Sequence, residues 1–368
     1  MRQRLSIFGV VAFVLTATGL HAQQIDERFT QWDRNNDNQL TKDELPKNPL
    51  AFFAQMDANG DGAVTREELK SFFASRRDRA TQQTADRRTG QATPTHRDVK
   101  YGDHERQAFD IWLAEASDGQ PTPLVIYIHG GGFRGGDKSN VSGNPSDYLA
   151  KGISFASMNY RLSDVGPYPI MMNDCARGLQ FIRNKAMQWN LDPDRIACYG
   201  GSAGAGISLW LAFHDDLADP DSDDPIARQS TRIVAAGTQN GQPTYDMRTF
   251  RQWFGVPDLP PHPALAAFYG VREDADLDSG RLNQLMVDAS AINHLSKDDV
   301  PVFMAYGKGD VPVDASSDPG LWVHHVKLGL KLKEAMDAMG LECHVNSPDH
   351  PTKPYGDIHE FLMAKVQK

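Results

Sequence analysis

The feature that most constrains the fold of this chain is the crowding of glycine around one serine in CYGGSAGAG, residues 198–206. An apolar run that begins near Ile196 leads into this segment, and a long apolar stretch with helical character follows it. Because glycine weakens both strands and helices, local propensity does not explain its repetition here. The pattern predicts a sharp strand–turn–helix bend that exposes the hydroxyl of Ser202, with small neighbours where the two backbones pass closely.

A second glycine-rich turn lies upstream, in LVIYIHGGGFRGGDK at residues 124–138. The run from Leu124 to Ile128 is rich in strand-forming residues and predicts a buried strand. The three glycines after His129 leave backbone N–H groups that can converge on one oxygen atom. The presence of this turn upstream supports the interpretation of the Ser202 bend.

These segments resemble the α/β-hydrolase superfamily, specifically bacterial esterases of the carboxylesterase and hormone-sensitive-lipase type. The resemblance covers most of residues 99–368 and includes HGGGF at 129–133, NYRL at 159–162, DCARGLQFIRNKA at 174–186 and DPDRIACYGGSAGAG at 192–206. It implies an α/β fold with a mostly parallel, doubly wound sheet. It also implies that Ser202 is the nucleophile and that the N–H groups of Gly131, Gly132 and Ala203 form the oxyanion hole.

A serine nucleophile needs a base, and the base needs an acid that orients it. In this superfamily the chain order is serine, acid, histidine. The segment PVFMAYGKGDVPVD at 301–314 has the pattern of an apolar strand, a glycine turn and an acid. This favours Asp310 as the acid and leaves Asp314 as its rival, since Asp314 is further from the end of the strand.

The resemblance places the histidine after the last strand, where the chain offers more than one choice. His350 follows the strand-like run 343–347 and lies in PDHP, whereas the superfamily usually has glycine beside this histidine. We prefer His350, because a histidine on a loop reaches a serine at the sheet edge more easily than one on a helix. His359, inside the terminal helix pattern, is the next choice. The pair His324 and His325, which begins HHVKLGLKLKEAM, is the third.

Two short repeats near the N-terminus carry oxygen-bearing side chains at the spacing of calcium-binding loops. They are DRNNDNQLTKDE at 33–44 and DANGDGAVTREE at 57–68, and both resemble EF-hand loops. The resemblance implies calcium as the cofactor, with these ligands: Asp33, Asn35, Asp37, Gln39 (backbone), Thr41 and Glu44 in the first loop, and Asp57, Asn59, Asp61, Ala63 (backbone), Thr65 and Glu68 in the second.

The two loops differ at the sixth position, where the backbone turns sharply. Gly62 occupies it in the second loop and Asn38 in the first. Asparagine tolerates left-handed geometry better than most residues, so we expect both loops to be functional. We also expect Leu40 and Val64, at the eighth position of each loop, to pair with one another.

The chain is expected to comprise four segments: a signal peptide (1–22), the EF-hand pair (23–74), a flexible linker (75–98) and the hydrolase domain (99–368). Arg2 and Arg4 precede a short apolar run, which is typical of a signal peptide and predicts a periplasmic or secreted protein without a stable membrane span. The linker is polar and has few large apolar residues, so it cannot form a core.

Composition narrows the range of partners. A net charge of −10 argues against nucleic acid, because phosphate binding needs a basic surface. The three cysteines, Cys175, Cys198 and Cys343, are too few for a disulfide scaffold and are expected to be small buried side chains.

Together these patterns predict a secreted serine esterase that forms an acyl-enzyme on small-molecule or polysaccharide-linked esters, with no cofactor for the chemistry itself. The competing hypothesis is a calcium-dependent secreted binding protein with an inactive hydrolase domain, motivated by the unusual surroundings of His350. Residues 243–299 lie between two predicted strands and contain Phe250, Trp253, Phe254 and Phe268. They either line the substrate pocket or form a packed excursion without substrate contact.

Overall fold

The computed structural model describes residues 25–26, 28–45, 53–73, 92–115 and 119–368. The chain divides into two units, residues 1–90 and 91–368, which are considered separately. The predicted signal peptide and residues 75–91 of the predicted linker lie outside the described residues. No helix in the described part of the chain has both the length and the apolar character needed to cross a bilayer.

The N-terminal unit is organised around the two acidic loops. Residues 28–32 and 66–73 are helical, and a short helix over Phe53–Met56 lies between the loops. A small core that includes Phe29, Leu40 and Val64 packs beneath them. The N–H of each of Leu40 and Val64 donates to the carbonyl oxygen of the other at 2.9 Å, which confirms the predicted pairing of the loops.

The second unit is built on an eight-stranded sheet with the order β1-β2-β4-β3-β5-β6-β7-β8. Its strands are β1 (His96–Lys100), β2 (Ala108–Trp112), β3 (Thr122–Ile128), β4 (Ser154–Met158), β5 (Leu191–Gly201), β6 (Ala236–Gln239), β7 (Val302–Ala305) and β8 (Cys343–Asn346). The strands β3 to β8 pair in parallel, and only the pairings of β1 with β2 and of β2 with β4 are antiparallel. The predicted mostly parallel sheet is confirmed.

Helices cover both faces of this sheet. They are α1 (Pro145–Leu149), α2 (Ile170–Asn184), α3 (Ala186–Trp189), α4 (Ala203–Phe213), α5 (Met247–Phe254), α6 (Leu265–Tyr269), α7 (Asn283–Ala289), α8 (Pro319–Val323), α9 (Val326–Ala338) and α10 (Ile358–Val366), with 3₁₀ turns at Asp274–Asp278 and Ala291–His294. Buried side chains of α2, α4 and α9 belong to one apolar cluster, and those of α1 and α10 belong to another. Two covered faces explain why the central strands are apolar throughout rather than alternating.

The hydrolase unit begins earlier in the chain than residue 99. Strand β1 starts at His96. The N–H of Ala92 donates to Ser146 Oγ at 3.0 Å, and the carbonyl of Ala92 accepts from Trp112 Nε1 at 2.6 Å. Residues 92–98 are therefore part of the folded unit and not of the predicted linker. The three cysteines are free and buried, as expected.

Candidate active site

Ser202 lies at a forced backbone corner between β5 and α4. Its φ of 49° and ψ of −114° place a non-glycine residue in a sparsely populated conformation, which is typical of functional sites. The corner is fixed by its own N–H, which donates to the carbonyl of Gln239 at 2.9 Å. Because no side chain caps α4, the first N–H groups of this helix remain available for an anion.

Two of the glycines around Ser202, Gly200 and Gly204, are required by close backbone contacts. A Cβ on Gly204 would lie 2.0 Å from the carbonyl oxygen of Ile128, and a Cβ on Gly200 would lie 2.4 Å from the carbonyl carbon of Gly204. Both distances are far below van der Waals contact, so any larger residue would force strand and helix apart. This contact is the physical reason for the glycine crowding in the sequence.

The imidazole that contacts the serine is that of His324. Its Nε2 lies 2.9 Å from Ser202 Oγ. His324 directly follows α8 as its C-cap residue, and the backbone of Gly320, one turn earlier, favours the protonated form of its ring. The side-chain amide of Gln242 donates to the carbonyl of Val323 at 2.8 Å and so ties this loop to the segment that follows β6.

The protonation state of His324 suits a general base. Burial lowers the pKa of His324 below its ordinary value, and the hydrogen bond to the Gly320 backbone opposes this effect. Among more distant charges, Lys308 lowers the pKa and Asp318 raises it. The ring is therefore neutral near pH 7, and its Nε2 can accept the proton of the Ser202 hydroxyl.

The structure corrects the preferred histidine. His350 is exposed in the turn after β8, where its backbone exchanges hydrogen bonds with that of Ser347. His359, the second choice, is in the first turn of α10, and its Nδ1 lies 2.7 Å from the hydroxyl of Tyr148. Of the histidines that the sequence offered, the third choice, His324, is the one beside the serine.

The choice of acid is also corrected. Asp310 is 51% exposed, and its Oδ1 lies 3.6 Å from Nε2 of His325, the neighbour of the imidazole at the serine. Asp314, the rival, caps a turn through bonds from Ser316 and Ser317. Among the described residues, no carboxylate forms an ion pair or hydrogen bond with His324.

His325 has a different, structural position. It is buried and caps α9 by accepting at Nδ1 from the N–H of Lys327, while its Nε2 lies 2.8 Å from the carbonyl of Val311. This side chain anchors the loop after β7 to α9. The two adjacent histidines therefore have different roles. His324 contacts the serine, and His325 fixes the loop that carries Asp310.

The glycine turn after β3 has the conformation that the predicted oxyanion hole needs. Gly131 and Gly132 have φ of 111° and 60°, which only glycine adopts readily. In the described part of the chain, the N–H groups of these two glycines donate to no other protein group. Gly132 and Ala203 both line the cavity at Ser202.

His129 holds this glycine turn in place. Its ring stacks on Tyr160 at 4.4 Å between centroids, and its Nδ1 lies 2.7 Å from the carbonyl of Gly130. The guanidinium of Arg106 lies 3.0 Å from its Nε2. Burial lowers the pKa of His129 to about 4, so this imidazole is neutral near pH 7 and has a structural role in the turn.

The cavity beside Ser202 has a volume of about 30 Å³ and is lined by both aromatic and small residues. Its walls include Phe133, Tyr245, Phe250, Trp322 and the imidazole of His262. Among the described residues, the Tyr245 hydroxyl and the Trp322 indole N–H are buried without a hydrogen-bond partner.

The sequence left two roles open for the aromatic residues between 243 and 299, namely lining the substrate pocket and packing without substrate contact. The structure shows both roles. Phe250 lines the cavity, whereas Phe268 is buried and stacks on Phe133 at 4.5 Å between centroids. Trp253 and Phe254 pack, partly buried, against the main core.

The two acidic loops share one hydrogen-bond pattern. The first residue of each, Asp33 or Asp57, accepts from the backbone N–H groups of the fifth and sixth loop positions. The last residue, Glu44 or Glu68, accepts from backbone N–H groups across the loop, which lowers the pKa of each glutamate.

The sixth position is left-handed in both loops, with φ of 63° at Asn38 and 89° at Gly62. The expectation that Asn38 can replace glycine at this turn is therefore confirmed. The donor set consists of carboxylate, amide, hydroxyl and carbonyl oxygens, which suits a hard cation such as calcium.

Two family patterns match the chain. The BD-FAE pattern matches residues 109–321, which contain the Ser202 corner and the glycine turn, and the EF-hand pattern matches residues 51–73, which contain the second acidic loop.

Sequence comparison finds relatives that are named as esterases. A probable carboxylic ester hydrolase, LipM, from Mycobacterium tuberculosis is 29% identical over 221 residues, which is 59% of this chain and 48% of LipM. A probable isoprenylcysteine alpha-carbonyl methylesterase, ICMEL1, from Arabidopsis thaliana is 30% identical over 139 residues, which is 38% of this chain and 29% of that protein. The matched regions therefore span less than half the length of either relative.

Solved structures share the fold at low sequence identity. A truncated carbohydrate esterase from gut microbiota has a TM-score of 0.57 at 20% identity, covering 76% of this chain and all of that one. An acetyl ester-xyloside bifunctional hydrolase from Caldicellulosiruptor lactoaceticus has a TM-score of 0.51 at 21% identity, covering 67% of this chain and 78% of that one. Since the BD-FAE pattern covers more than half of the chain and includes the serine corner, this protein belongs to the BD-FAE family of α/β-hydrolase esterases.

Proposed function

We propose that this protein hydrolyses carboxylic esters through an acyl-enzyme on Ser202. The observation that carries the proposal is the 2.9 Å separation of Ser202 Oγ and His324 Nε2 beside a cavity lined by Gly132 and Ala203. A base within hydrogen-bond distance of a strained, half-exposed serine is the arrangement that activates a hydroxyl for attack.

The reaction follows from this geometry. His324 Nε2 takes the hydroxyl proton as Ser202 Oγ attacks the ester carbonyl carbon, and the new oxyanion accepts from the N–H groups of Gly131, Gly132 and Ala203. The imidazolium then gives its proton to the leaving alcohol. A water molecule, deprotonated by the same imidazole, hydrolyses the acyl-enzyme and restores the serine.

The cavity supports a short acyl group as the preferred substrate. The aromatic side chains of Phe133, Tyr245 and Phe250 leave little free space beside Ser202, which favours a small acyl group such as acetyl. Two of the solved structures with this fold are a carbohydrate esterase and an acetyl ester-xyloside hydrolase by name. We therefore propose acetyl esters, including acetylated carbohydrates, as the substrate class.

Hydrolysis of p-nitrophenyl acetate, butyrate and octanoate tests activity and acyl length together. We expect kcat/KM to be highest for acetate and to fall with each longer acyl chain, and Ser202→Ala to remove turnover. Equal or rising kcat/KM for octanoate contradicts the short-acyl proposal while leaving the esterase proposal intact. Turnover that persists in Ser202→Ala contradicts the esterase mechanism.

The competing function, a calcium-dependent binding protein with an inactive hydrolase unit, is favoured by one observation. In the described residues His324 lacks a carboxylate partner, and loss of that partner weakens a serine–histidine pair. Folded, calcium-loaded protein that binds acetylated carbohydrates but shows no turnover above that of Ser202→Ala supports this alternative.

We further propose that both acidic loops bind calcium and that the protein is periplasmic or secreted. The support for calcium is the oxygen donor set and the match of residues 51–73 to the EF-hand pattern. The support for secretion is the basic and apolar pattern of residues 1–22. N-terminal sequencing of the protein exported by a bacterial host tests cleavage after residue 22, and export without cleavage contradicts that boundary.

A further inference from the structure

A second cluster of metal-binding side chains lies outside the serine site. His214 follows the last residue of α4, Asp288 is in α7, and His294 ends the 3₁₀ turn Ala291–His294. One ligand atom from each lies within 4.8 Å of the others, and all three side chains are half-buried. The two imidazole rings are 4.7 Å apart between centroids.

The hydrogen bonds of this cluster fix which ring nitrogens are free. Nδ1 of His214 lies 3.0 Å from the carbonyl of Asp215, and Nε2 of His294 lies 2.7 Å from the backbone carbonyl of Asp288. A carbonyl only accepts hydrogen bonds, so each of these nitrogens carries the proton. The other nitrogen of each ring, Nε2 of His214 and Nδ1 of His294, is therefore the one that can offer a lone pair to a metal ion.

The carboxylate is oriented in the same way. The Tyr168 hydroxyl donates to Oδ2 of Asp288 at 2.7 Å, which leaves Oδ1 for another partner. Protein ligands of transition metals are characteristically held by such outer hydrogen bonds, in which each histidine donates its second N–H to a carbonyl or carboxylate. All three side chains of the cluster have this outer bond.

We propose that His214, Asp288 and His294 bind a divalent transition metal ion, with zinc as the best match. Two neutral imidazoles and one carboxylate suit Zn²⁺, whereas calcium and magnesium prefer all-oxygen sites. Ligand atoms in a tetrahedral zinc site are roughly 3.4 Å apart, so the three side chains have to rotate towards one another to complete the geometry, with water as the fourth ligand.

The position of this site gives the ion a structural role. Helix α4 begins beside Ser202 and has 11 residues, so its two ends are about 16 Å apart. A cation at its C-terminal end is favoured by the helix dipole. The ion joins the end of the nucleophile helix to the segment 288–294 and stabilises the fold without contacting substrate.

Zinc titration of the full chain tests the proposal. The protein is stripped with chelator, desalted and held in excess calcium, so that the acidic loops are saturated before Zn²⁺ is added. We expect one calorimetric site of micromolar or tighter affinity and a rise in Tm of about 3 °C or more at a hundredfold excess over Kd. We expect His214→Gln and His294→Gln each to weaken binding at least about tenfold.

The matched control is His344→Gln, which changes another partly buried histidine with an acidic partner, Glu342, outside the cluster. It should bind zinc as the wild type does. Metal-free circular dichroism and melting of each variant identify any folding defect, and visible absorption of bound Co²⁺ reports nitrogen ligation directly. Absence of zinc binding by the wild type overturns the proposal, as does binding that survives unchanged in folded His214→Gln and His294→Gln.

Discussion

At Ser202, reactivity depends on which imidazole accepts the hydroxyl proton. With His324 Nε2 at 2.9 Å from Ser202 Oγ and His350 exposed in the turn after β8, we expect His324→Ala to lower kcat/KM for p-nitrophenyl acetate at least about a hundredfold. His350→Ala is the matched control and should retain wild-type rates. The reverse result, a large loss in His350→Ala and none in His324→Ala, contradicts the geometry of the site.

The burial of His324 makes a prediction about pH. The base must be neutral to act, and its activity is lost as pH falls through the pKa of the folded protein. Because burial lowers the pKa of His324, the acidic limb of the kcat/KM profile should have its midpoint below 6.5, the ordinary value for histidine. A midpoint well above that value contradicts a buried base without a carboxylate partner.

The nucleophile and the glycine turns could be predicted from sequence because their signals are local. Strand, bend and helix around Ser202 follow one another within a short segment, and Gly200 and Gly204 each have a steric reason there. The base could not be chosen in this way. His324 reaches the serine through the packing of α8 and α9 and the bond from Gln242 to Val323, none of which has a local signature.

At the scale of elements, the contact between β3 and the start of α4 dictates glycine at position 204. Glycine to alanine in a helix normally stabilises by about 1 kcal/mol. Here the added Cβ would lie 2.0 Å from the carbonyl oxygen of Ile128, so Gly204→Ala should instead destabilise by at least about 2 kcal/mol.

Urea unfolding measures this effect. The matched control is Gly307→Ala, where an added Cβ meets nothing within 4 Å and the expected change is within about 0.5 kcal/mol. A Gly204→Ala variant as stable as the wild type shows that β3 and α4 do not make this close contact.

The buried parallel strands of the sheet could be predicted from the sequence, whereas the edge strand β1 could not. Apolar runs such as Leu124 to Ile128, separated by helical patterns, predict a buried parallel sheet. Strand β1 cannot be predicted in this way because His96–Lys100 is polar and mostly exposed. It joins the sheet by antiparallel pairing with β2. An exposed edge strand carries little periodic signal, so its residues resemble a linker.

At the scale of the whole molecule, two units divide the proposed tasks, with calcium in one and ester chemistry in the other. We expect calorimetry to show two calcium sites, and Glu44→Gln and Glu68→Gln each to weaken one of them at least about tenfold, because the last loop residue supplies a bidentate carboxylate. Calcium titration of the chelator-treated full chain measures this. Unaltered affinity in both variants contradicts the proposed ligand sets.

The division into two units also predicts how the activities depend on one another. The described residues that line the cavity at Ser202 belong to the second unit, so Glu44→Gln and Glu68→Gln should leave kcat for p-nitrophenyl acetate within about twofold of the wild type. A loss of kcat in these variants, with the hydrolase unit still folded by circular dichroism, contradicts independent units.

The central claim is that Ser202 is a nucleophile activated by His324. Intact mass and peptide mapping of the purified full chain after reaction with a fluorophosphonate test it most directly. The account predicts one adduct, on Ser202, formed rapidly by the wild type and His350→Ala, far more slowly by His324→Ala and not at all by Ser202→Ala. Folded wild-type protein that remains unlabelled at Ser202, or that is labelled at the same rate in His324→Ala, would contradict it.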